Sequence, residues 1–509
     1  MTPEHRFQTS SSPKDAAAVI LLRQNTNPNN PEVFWVKRSD KLGFLGGFHA
    51  FPGGQIDPSD AEVVVKNSSD PQMSSMISGA ARELFEELGV LLARGAETLT
   101  KGQRASLLDD LESARMSWPM LLNHYGLHLD ARDFTFVGRW VTPPFSARRF
   151  DTWFFLVTCP AKQEPSVIPG ELAEGEWIAA QSAYERWLGA QVIAVPPTLH
   201  ALKTLAGGIS PDLIDRFLAP PQAHGEPVRK IEFRPRYICF PVRTPTKPPA
   251  THTNCYLIYN SREILILDPG SPYEDEQHAL AACIDELISE GRKVREIVLT
   301  HLHPDHVGGV NSLRAHLGES VQVAAHIETA QGLSDIKVDR LINDKETIKL
   351  DGYPQIILHA LHTPGHARGH LCFHDEQTGV LITGDNIVGL GSVLIDPPQG
   401  NMSDYLDSLL RVRALPNLSV LFGGHGPAMA NPYKKIDEYI AHRHKREARI
   451  LEAVRSRAST LKEIVARVYT DVSPKAHAMA ERAVLAHLEK LEADGLVVRK
   501  DHECYLAAQ

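Results

Sequence analysis

Cysteine is scarce. The 509-residue chain holds six, Cys159, Cys239, Cys255, Cys283, Cys372 and Cys504, and no two stand in a C-x-x-C pair. That excludes a disulfide scaffold and a cysteine-based zinc site, and it suits a reducing cytoplasm. Long apolar runs are missing too. The one nearest the start, residues 16–22, is too short to span a bilayer. Residues 1–14 are polar and lack a basic segment followed by an apolar stretch, so no secretory signal is expected. Positive charge is not in excess: 53 Lys and Arg against 62 Asp and Glu give a net charge of -9. This argues against a bulk polyanion binder and leaves room only for a local basic face. The expectation is a cytoplasmic protein with no membrane partner. No internal repeat or long low-complexity tract is visible. What remains is an ordinary globular composition, 43% hydrophobic and 23% charged, long enough for two to four domains. The 24 histidines stand out, through their clustering more than their number.

Two proline-rich stretches, residues 219–227 and 241–249, bracket a short segment and suggest a boundary. Four blocks are expected: a domain over 1–217, a linker over 218–236, a second domain over 237–431 and a tail over 432–509. In the first block, residues 17–23 and 33–38 read as strands. Residues 77–92 read as a helix, because Ile77, Ala81, Leu84, Leu88 and Leu91 recur at helical spacing. The second block alternates strands (254–259, 263–268, 296–300, 321–325, 355–359, 371–374, 380–383) with a helix over 276–290, a layered α/β pattern. The tail reads as small, helical and basic at its start, ending in a β-hairpin over 495–506.

The expected helix carries Arg82-Glu83-Leu84-Phe85-Glu86-Glu87-Leu88-Gly89-Val90. Glu83, Glu86 and Glu87 stand at i, i+3 and i+4 and share one face. Three carboxylates so close repel one another, and a hard divalent cation such as Mg²⁺ relieves that repulsion. A solvated acidic face is the bland alternative. Phe51-Pro52-Gly53-Gly54 lies upstream, and together these residues resemble the Nudix hydrolase box, whose second half reads REU-x-EE-x-GU. The first half departs from it. Twenty-seven residues separate Gly54 from Arg82, about twice the family spacing, and Asp57, Asp60 and Glu62 compete for the box's first acidic position. Arg38-Ser39, FHAFPGGQID, Trp140-Val141-Thr142-Pro143 and Arg149–Phe155 are similar to the Nudix branch that includes the mammalian Nudix motif 19 proteins. The resemblance implies an α/β/α sandwich and Mg²⁺- or Mn²⁺-dependent cleavage of the diphosphate of coenzyme A or a nucleotide. It casts Glu83, Glu86 and Glu87 as metal ligands, Glu86 and Glu87 among the catalytic groups. Glu171, Glu174 and Glu176 are open candidates to complete the site.

A second constellation follows. Thr300-His301-Leu302-His303-Pro304-Asp305-His306 lies in a loop after an expected strand. Downstream come His362-Thr363-Pro364-Gly365-His366, Thr383-Gly384-Asp385 and Gly424-His425-Gly426. Five imidazoles and two carboxylates are a donor set for two zinc ions. Order and spacing resemble the metallo-β-lactamase superfamily and imply its αββα sandwich. By that resemblance His301, His303 and His366 hold one metal, Asp305, His306 and His425 the other, and Asp385 bridges. Asp268 would orient ligands from behind, and Asn254 would open a strand of the fold. The two metals would make a shared water nucleophilic, with Asp305 orienting it or taking its proton.

That superfamily hydrolyses lactams, thioesters, phosphodiesters and lactones, so the ligands do not choose the substrate. Residues 366–370, 384–389, 424–427 and 439–443, with a winged-helix-like tail, are similar to the beta-lactamase-like protein 2 branch. That implies an endonuclease acting on single-stranded RNA. The basic residues between Lys434 and Arg449 are candidates to neutralise phosphates, against the bland reading of a solvated face broken by Asp437, Glu438 and Glu447. A glyoxalase II-type or acyl-CoA thioesterase, with the Nudix block a non-catalytic binding module, is the competing expectation. The tail is expected to pack on the catalytic domain or on a second copy, so a homodimer stays open.

Overall fold

The computed structural model describes residues 12–146, 148–470, 477–500 and 504–508. Most of the polar opening stretch and the turn of the expected C-terminal hairpin therefore lie outside the described residues. The chain divides into two compact units, Met1–Ile238 and Cys239–Gln509.

In the first unit a mixed sheet runs in the order His49–Ala50, Glu32–Arg38, Lys14–Leu22, Phe150–Thr158, Thr135–Val141. Lys14–Leu22 lies parallel to Phe150–Thr158, with Gly53–Gln55 antiparallel to its other edge. Leu172–Ala179 runs antiparallel to Glu32–Arg38. The helix Pro71–Leu88 covers one face. Its Ile77, Ala81, Leu84, Phe85 and Leu88 share a core with Ala17, Val19, Leu21 and Phe155. Trp35 points to the other face, where Arg186 of the helix Ala180–Leu188 lies over its ring. The result is helix on sheet on helix.

The central helix begins earlier than its hydrophobic period suggests. Asp70 caps it by accepting from Gln72 N at 3.0 Å, and Pro71 occupies the first turn. It stops at Gly89, whose φ of 67° is left-handed. Leu91 is therefore buried beyond the helix, not on it. The extra residues between Gly54 and the helix form the turn Pro58–Glu62 and the strand Val65–Lys66, which pairs with Leu129–Asp130.

The segment expected to be a linker belongs to the first unit. It contains the strand Ile231–Arg234, where Phe233 O accepts from Trp187 Nε1 and Arg234 donates to Val192 O. Pro220 and Pro221 open the short turn Pro221–Ala223 within it. The division falls later, within the strand Tyr237–Arg243.

In the second unit one sheet runs through Tyr237–Arg243, His252–Tyr259, Glu263–Leu267, Lys293–Val298, Gln322–Ala325 and Arg340–Leu341, parallel from Glu263–Leu267 onward. The other has the order Thr347–Leu350, Ile356–His362, Leu371–Asp375, Val380–Gly384, Val420–Gly423. The two meet face to face: Tyr256 stacks on Phe422 with ring centroids 5.5 Å apart, and Asn254 Nδ2 donates to Gly423 O. Glu274–Ser289 follows the central strand Glu263–Leu267 of the first sheet, and Met402–Arg413 buries Tyr405, Leu409 and Val412 against Leu381 and Leu421 of the second. This is the expected αββα sandwich.

The tail has no boundary of its own. Its helix Pro432–Arg455 sends Ile436 and Tyr439 into the core beside Met402–Arg413, so the tail packs on the catalytic fold. Its far half joins Leu461–Val468, His477–Ala493 and the antiparallel strands Val497–Arg499 and Tyr505–Ala507 in a separate small core. Among the described residues no helix is long and apolar enough to cross a membrane.

Candidate metal centre

The second unit gathers its histidines where strands end. Lys293–Val298 stops short of Thr300 because Asp268 captures that residue: Thr300 N donates to Asp268 Oδ1 at 2.8 Å and Thr300 Oγ1 to Oδ2 at 2.6 Å. The chain leaves the sheet there, and His301, His303, Asp305 and His306 project from the loop and the short helix Pro304–Val307. Asp385 follows Val380–Gly384, His425 follows Val420–Gly423 and His366 follows Ile356–His362.

Among the described residues, the groups whose ligand atoms lie within 4.8 Å of one another are His301–His303–His366, Asp305–His306–His425 and Asp268–His301–His306. Asp385 sits between the first two sets, with Oδ1 3.4 Å from His306 Nε2 and Oδ2 3.6 and 3.3 Å from His366 and His425 Nε2. All seven side chains singled out in the sequence are thus brought together. Asp268 is a different case. Its oxygens are occupied by Thr300 and by His306 Nδ1 at 2.8 Å, so it orients donors and is not one of them.

Proton bookkeeping tests whether cations fit. His366 Nδ1 faces Leu394 O and His425 Nδ1 faces His252 O, both at 2.8 Å, so those nitrogens carry the hydrogens. His306 Nδ1 does the same toward Asp268. Thr300 spends its hydroxyl proton on Asp268 and accepts from His301 Nδ1. In the neutral rings the Nε2 atoms of His301, His306, His366 and His425 are therefore bare lone pairs. His301 Nε2 and His366 Nε2 both face His303 Nδ1, at 3.0 and 2.9 Å, and one proton can serve only one of them. His306 Nε2 and Asp385 Oδ1 are buried with no hydrogen-bond partner. Lone pairs converging in a dry site are repulsive unless positive charge lies between them, and a divalent cation at each set fits.

The charge states differ between the two ligand sets. Burial, helped by His366, pulls the His303 imidazole down to about 3, and burial takes His301 well below its usual range. Burial works to raise the Asp385 carboxyl, but His425 and His306 hold it well below the ordinary value. Burial works to lower His306 and His425 as well, but the Asp385 carboxylate holds His306 well above the usual imidazole range and His425 above it. Neutral imidazoles and an ionised bridging carboxylate are the forms that bind metal, so a cation at this set displaces those protons.

Sequence reasoning overlooked His370 and Thr246. His370 Nε2 accepts from Asp385 N at 3.1 Å, and its Nδ1 is held by Thr363 Oγ1. Its place four residues after His366 was a visible signal. Thr246 lies 3.5 Å from His425 Nε2, and nothing in its local sequence marks it.

In the first unit Arg82 organises the helix glutamates. Its Nη1 donates to Glu83 Oε1 at 2.9 Å and Glu86 Oε2 at 2.8 Å, while Nε and Nη2 clasp Asp60. Asp60 is fully buried and also accepts from Ser78 Oγ and Asp57 N. Of the three acids the inserted box left open, Asp60 is the one that reaches the arginine. Glu87 accepts from Gly53 N at 2.8 Å, and a Cβ on Gly54 would come within 2.4 Å of the Glu83 carboxyl. Burial pushes Glu83 up to about 7 and, with Glu83 beside it, Glu87 up to about 8; burial raises Glu86 too. Of the three open candidates, Glu171 is the one whose charge acts on Glu87; Glu174 pairs with Lys37 and Glu176 with Arg186. The helix glutamates do not converge as closely as the histidine sets.

The family matches with known proteins fall in the second unit. Residues 248–425 match the family described as Metallo-beta-lactamase superfamily, and residues 460–503 the Beta-lactamase associated winged helix domain. The Beta-lactamase-like protein 2 homolog of Drosophila melanogaster is 30% identical over 50% of this chain and 88% of its own length. The Atrochrysone carboxyl ACP thioesterase of Passalora fulva is 30% identical over 52% of this chain and 78% of its own. A solved NUDIX hydrolase from Alicyclobacillus acidocaldarius is 32% identical over 40% of this chain and 95% of that one, with a TM-score of 0.34. With its ligand side chains gathered in an αββα sandwich and a winged-helix tail behind them, this chain belongs to the metallo-beta-lactamase superfamily and is a metal-dependent hydrolase.

Proposed function

We propose that the second unit hydrolyses phosphodiester bonds of single-stranded RNA at a pair of zinc ions, and that the first is a Mg²⁺- or Mn²⁺-dependent diphosphatase acting on coenzyme A-like or nucleotide diphosphates. The observation that carries the hydrolytic reading is the convergence of bare imidazole nitrogens on the Asp385 carboxylate. His301, His303 and His366 would hold one cation, Asp305, His306 and His425 the other, with Asp385 between. Bound there, the cations would supply Lewis-acid activation of water and neutralise charge developing on the scissile group. The chain does the rest. Asp305, half-buried beside His425, accepts or directs the proton of the attacking water. Leu394 O, His252 O and Asp268 keep three imidazoles in the tautomer that presents Nε2. The donor set, nitrogen-rich with carboxylates, favours zinc.

In the first unit Glu83, Glu86 and Glu87 would bind the hard cation. Burial raises all three carboxyls, with Glu86 adding to the shift of Glu83 and Glu83 to that of Glu87, and Arg82 holds two of them in place.

A specific observation favours a second reading for the zinc unit. A relative named as a thioesterase matches over 78% of its own length. Moreover, two arginines of the basic tail segment are absorbed by packing: Arg443 is 5% exposed, and Arg446 lies over Tyr469. A panel of single-stranded RNA, S-lactoylglutathione, acyl-CoA and free coenzyme A, with zinc and magnesium supplied, separates the readings. RNA cleavage is expected, lost in His303→Ala and retained in Glu86→Gln, with coenzyme A cleavage lost in Glu86→Gln alone. Thioester cleavage with RNA left intact would replace the nuclease by the second reading. No diphosphate cleavage by the wild type would make the first unit a binding module.

A further inference from the structure

The tail helix reaches the metal centre through one loop. Residues 385–397 leave the strand Val380–Gly384 and touch three of the candidate ligands. Asp385 is the loop's first residue, Gly389 N donates to His425 O at 2.8 Å, and Leu394 O fixes the proton on His366 Nδ1. Such a loop has no ladder to hold it, so its carbonyls need partners from elsewhere.

Two of those partners come from behind, from the helix Pro432–Arg455. Tyr439 Oη donates to Val388 O at 3.0 Å and accepts from Val388 N at 3.2 Å, pinning one residue at both of its backbone groups. One turn on, Arg443 Nη2 donates to Val393 O, beside the carbonyl that His366 uses. The same guanidinium lies 5.0 Å over the ring of Tyr405, whose hydroxyl donates to Asn386 O at 2.8 Å. Arg482, on the helix His477–Ala493, donates to Asp396 and to Pro397 O. Tyr439 and Arg443 are nearly buried. A guanidinium placed in that environment with a neutral carbonyl as its acceptor carries a desolvation cost that the hydrogen bond offsets only in part.

We infer that Tyr439 and Arg443 are positioning residues of the metal centre: through Val388 and Val393 they set the loop that carries Asp385 and locks the His366 tautomer. The tail helix is thereby part of the hydrolytic site's framework and not only an appended substrate reader. The inference rests on the two-cation reading and is independent of whether RNA or a thioester is the substrate.

The test uses the full-length protein with Zn²⁺ or Co²⁺, read by chelator competition and by the visible spectrum of the cobalt form. Tyr439→Phe and Arg443→Met are expected to weaken binding of one cation by about 10–100-fold and to shift the cobalt bands. Arg443→Lys, which keeps a donor, is expected to recover part of the loss. Ile450→Val, a trim in the tail's separate core, is expected to lower the unfolding temperature and leave affinity and spectrum unchanged. Should Arg443→Met fail to fold, Tyr439→Phe decides, since it removes a single oxygen. Wild-type affinity and spectrum in Tyr439→Phe and Arg443→Met, whatever their stability, would overturn the inference alone. A wild type that binds no cation would overturn the two-cation reading beneath it.

Discussion

Asp268 serves two neighbours of the centre with one carboxylate. It accepts from the backbone and hydroxyl of Thr300 and from His306 Nδ1, and it does so from a left-handed backbone, φ 52°. Asp tolerates that conformation better than most side chains, though at some cost, so the strain is held by the bonds it allows. Asparagine there has one acceptor where three donors point. Asp268→Asn is therefore expected to weaken metal binding by about 10–100-fold, measured by chelator competition. A second residue-scale prediction concerns the first unit. His49 packs against Trp35 with ring centroids 4.3 Å apart and its Nδ1 is buried without a partner. Burial, reinforced by Lys37, lowers its pKa to about 4. The unfolded imidazole takes up a proton below about 6.5 while the folded one resists until about 4. Stability contributed by the neutral ring is thus complete above pH 6.5 and lost as pH falls toward 4, by up to about 3 kcal/mol. Urea midpoints measured across that window should fall in the wild type and flatten in His49→Gln.

At the scale of elements, the turn Pro58–Glu62 is the anchor of the glutamate helix. Asp57 caps the turn, and Asp60 is driven inward to meet Arg82 and Ser78. The residues inserted before the helix thus supply the arginine's buried partner. Asp60→Ala removes that partner and leaves a guanidinium that is 8% exposed with less compensation, so a loss of roughly 3–5 kcal/mol is expected in urea unfolding. A loss under about 1 kcal/mol would show that Glu83 and Glu86 satisfy Arg82 by themselves. The helix was legible because its apolar residues recur at one face, but its end was not. Leu91 continues the period past Gly89, and only the left-handed backbone there shows the helix has stopped. The strands Thr347–Leu350 and Val420–Gly423 are four residues each and are not among those expected from the sequence. They exist because neighbouring strands offer them a ladder.

For the whole molecule, the division at residue 238 implies two cooperative cores. Calorimetry should then resolve two transitions. On the proposed two-cation reading zinc binds where the histidines gather, so it should raise the transition belonging to the second unit and leave the other in place. At free zinc about 100 times its dissociation constant the gain is about 2.7 kcal/mol. A single transition shifted as a whole would count against independent cores.

Chemical type was decided along the chain. Five histidines and two aspartates in short clusters, three glutamates at helical spacing and the lack of paired cysteines follow from composition and local pattern, because side-chain chemistry and periodicity are local properties, while the resemblance supplied their expected roles as ligands. Which groups would take up protons or cations, which acid among three meets Arg82, and that Arg443 props a loop and does not meet solvent were decided only by the tertiary structure. Those outcomes depend on burial and on partners such as Leu394 O, His252 O and Val393 O, which are backbone groups that every residue possesses. No sequence pattern distinguishes one carbonyl from another until packing places it beside a particular imidazole or guanidinium.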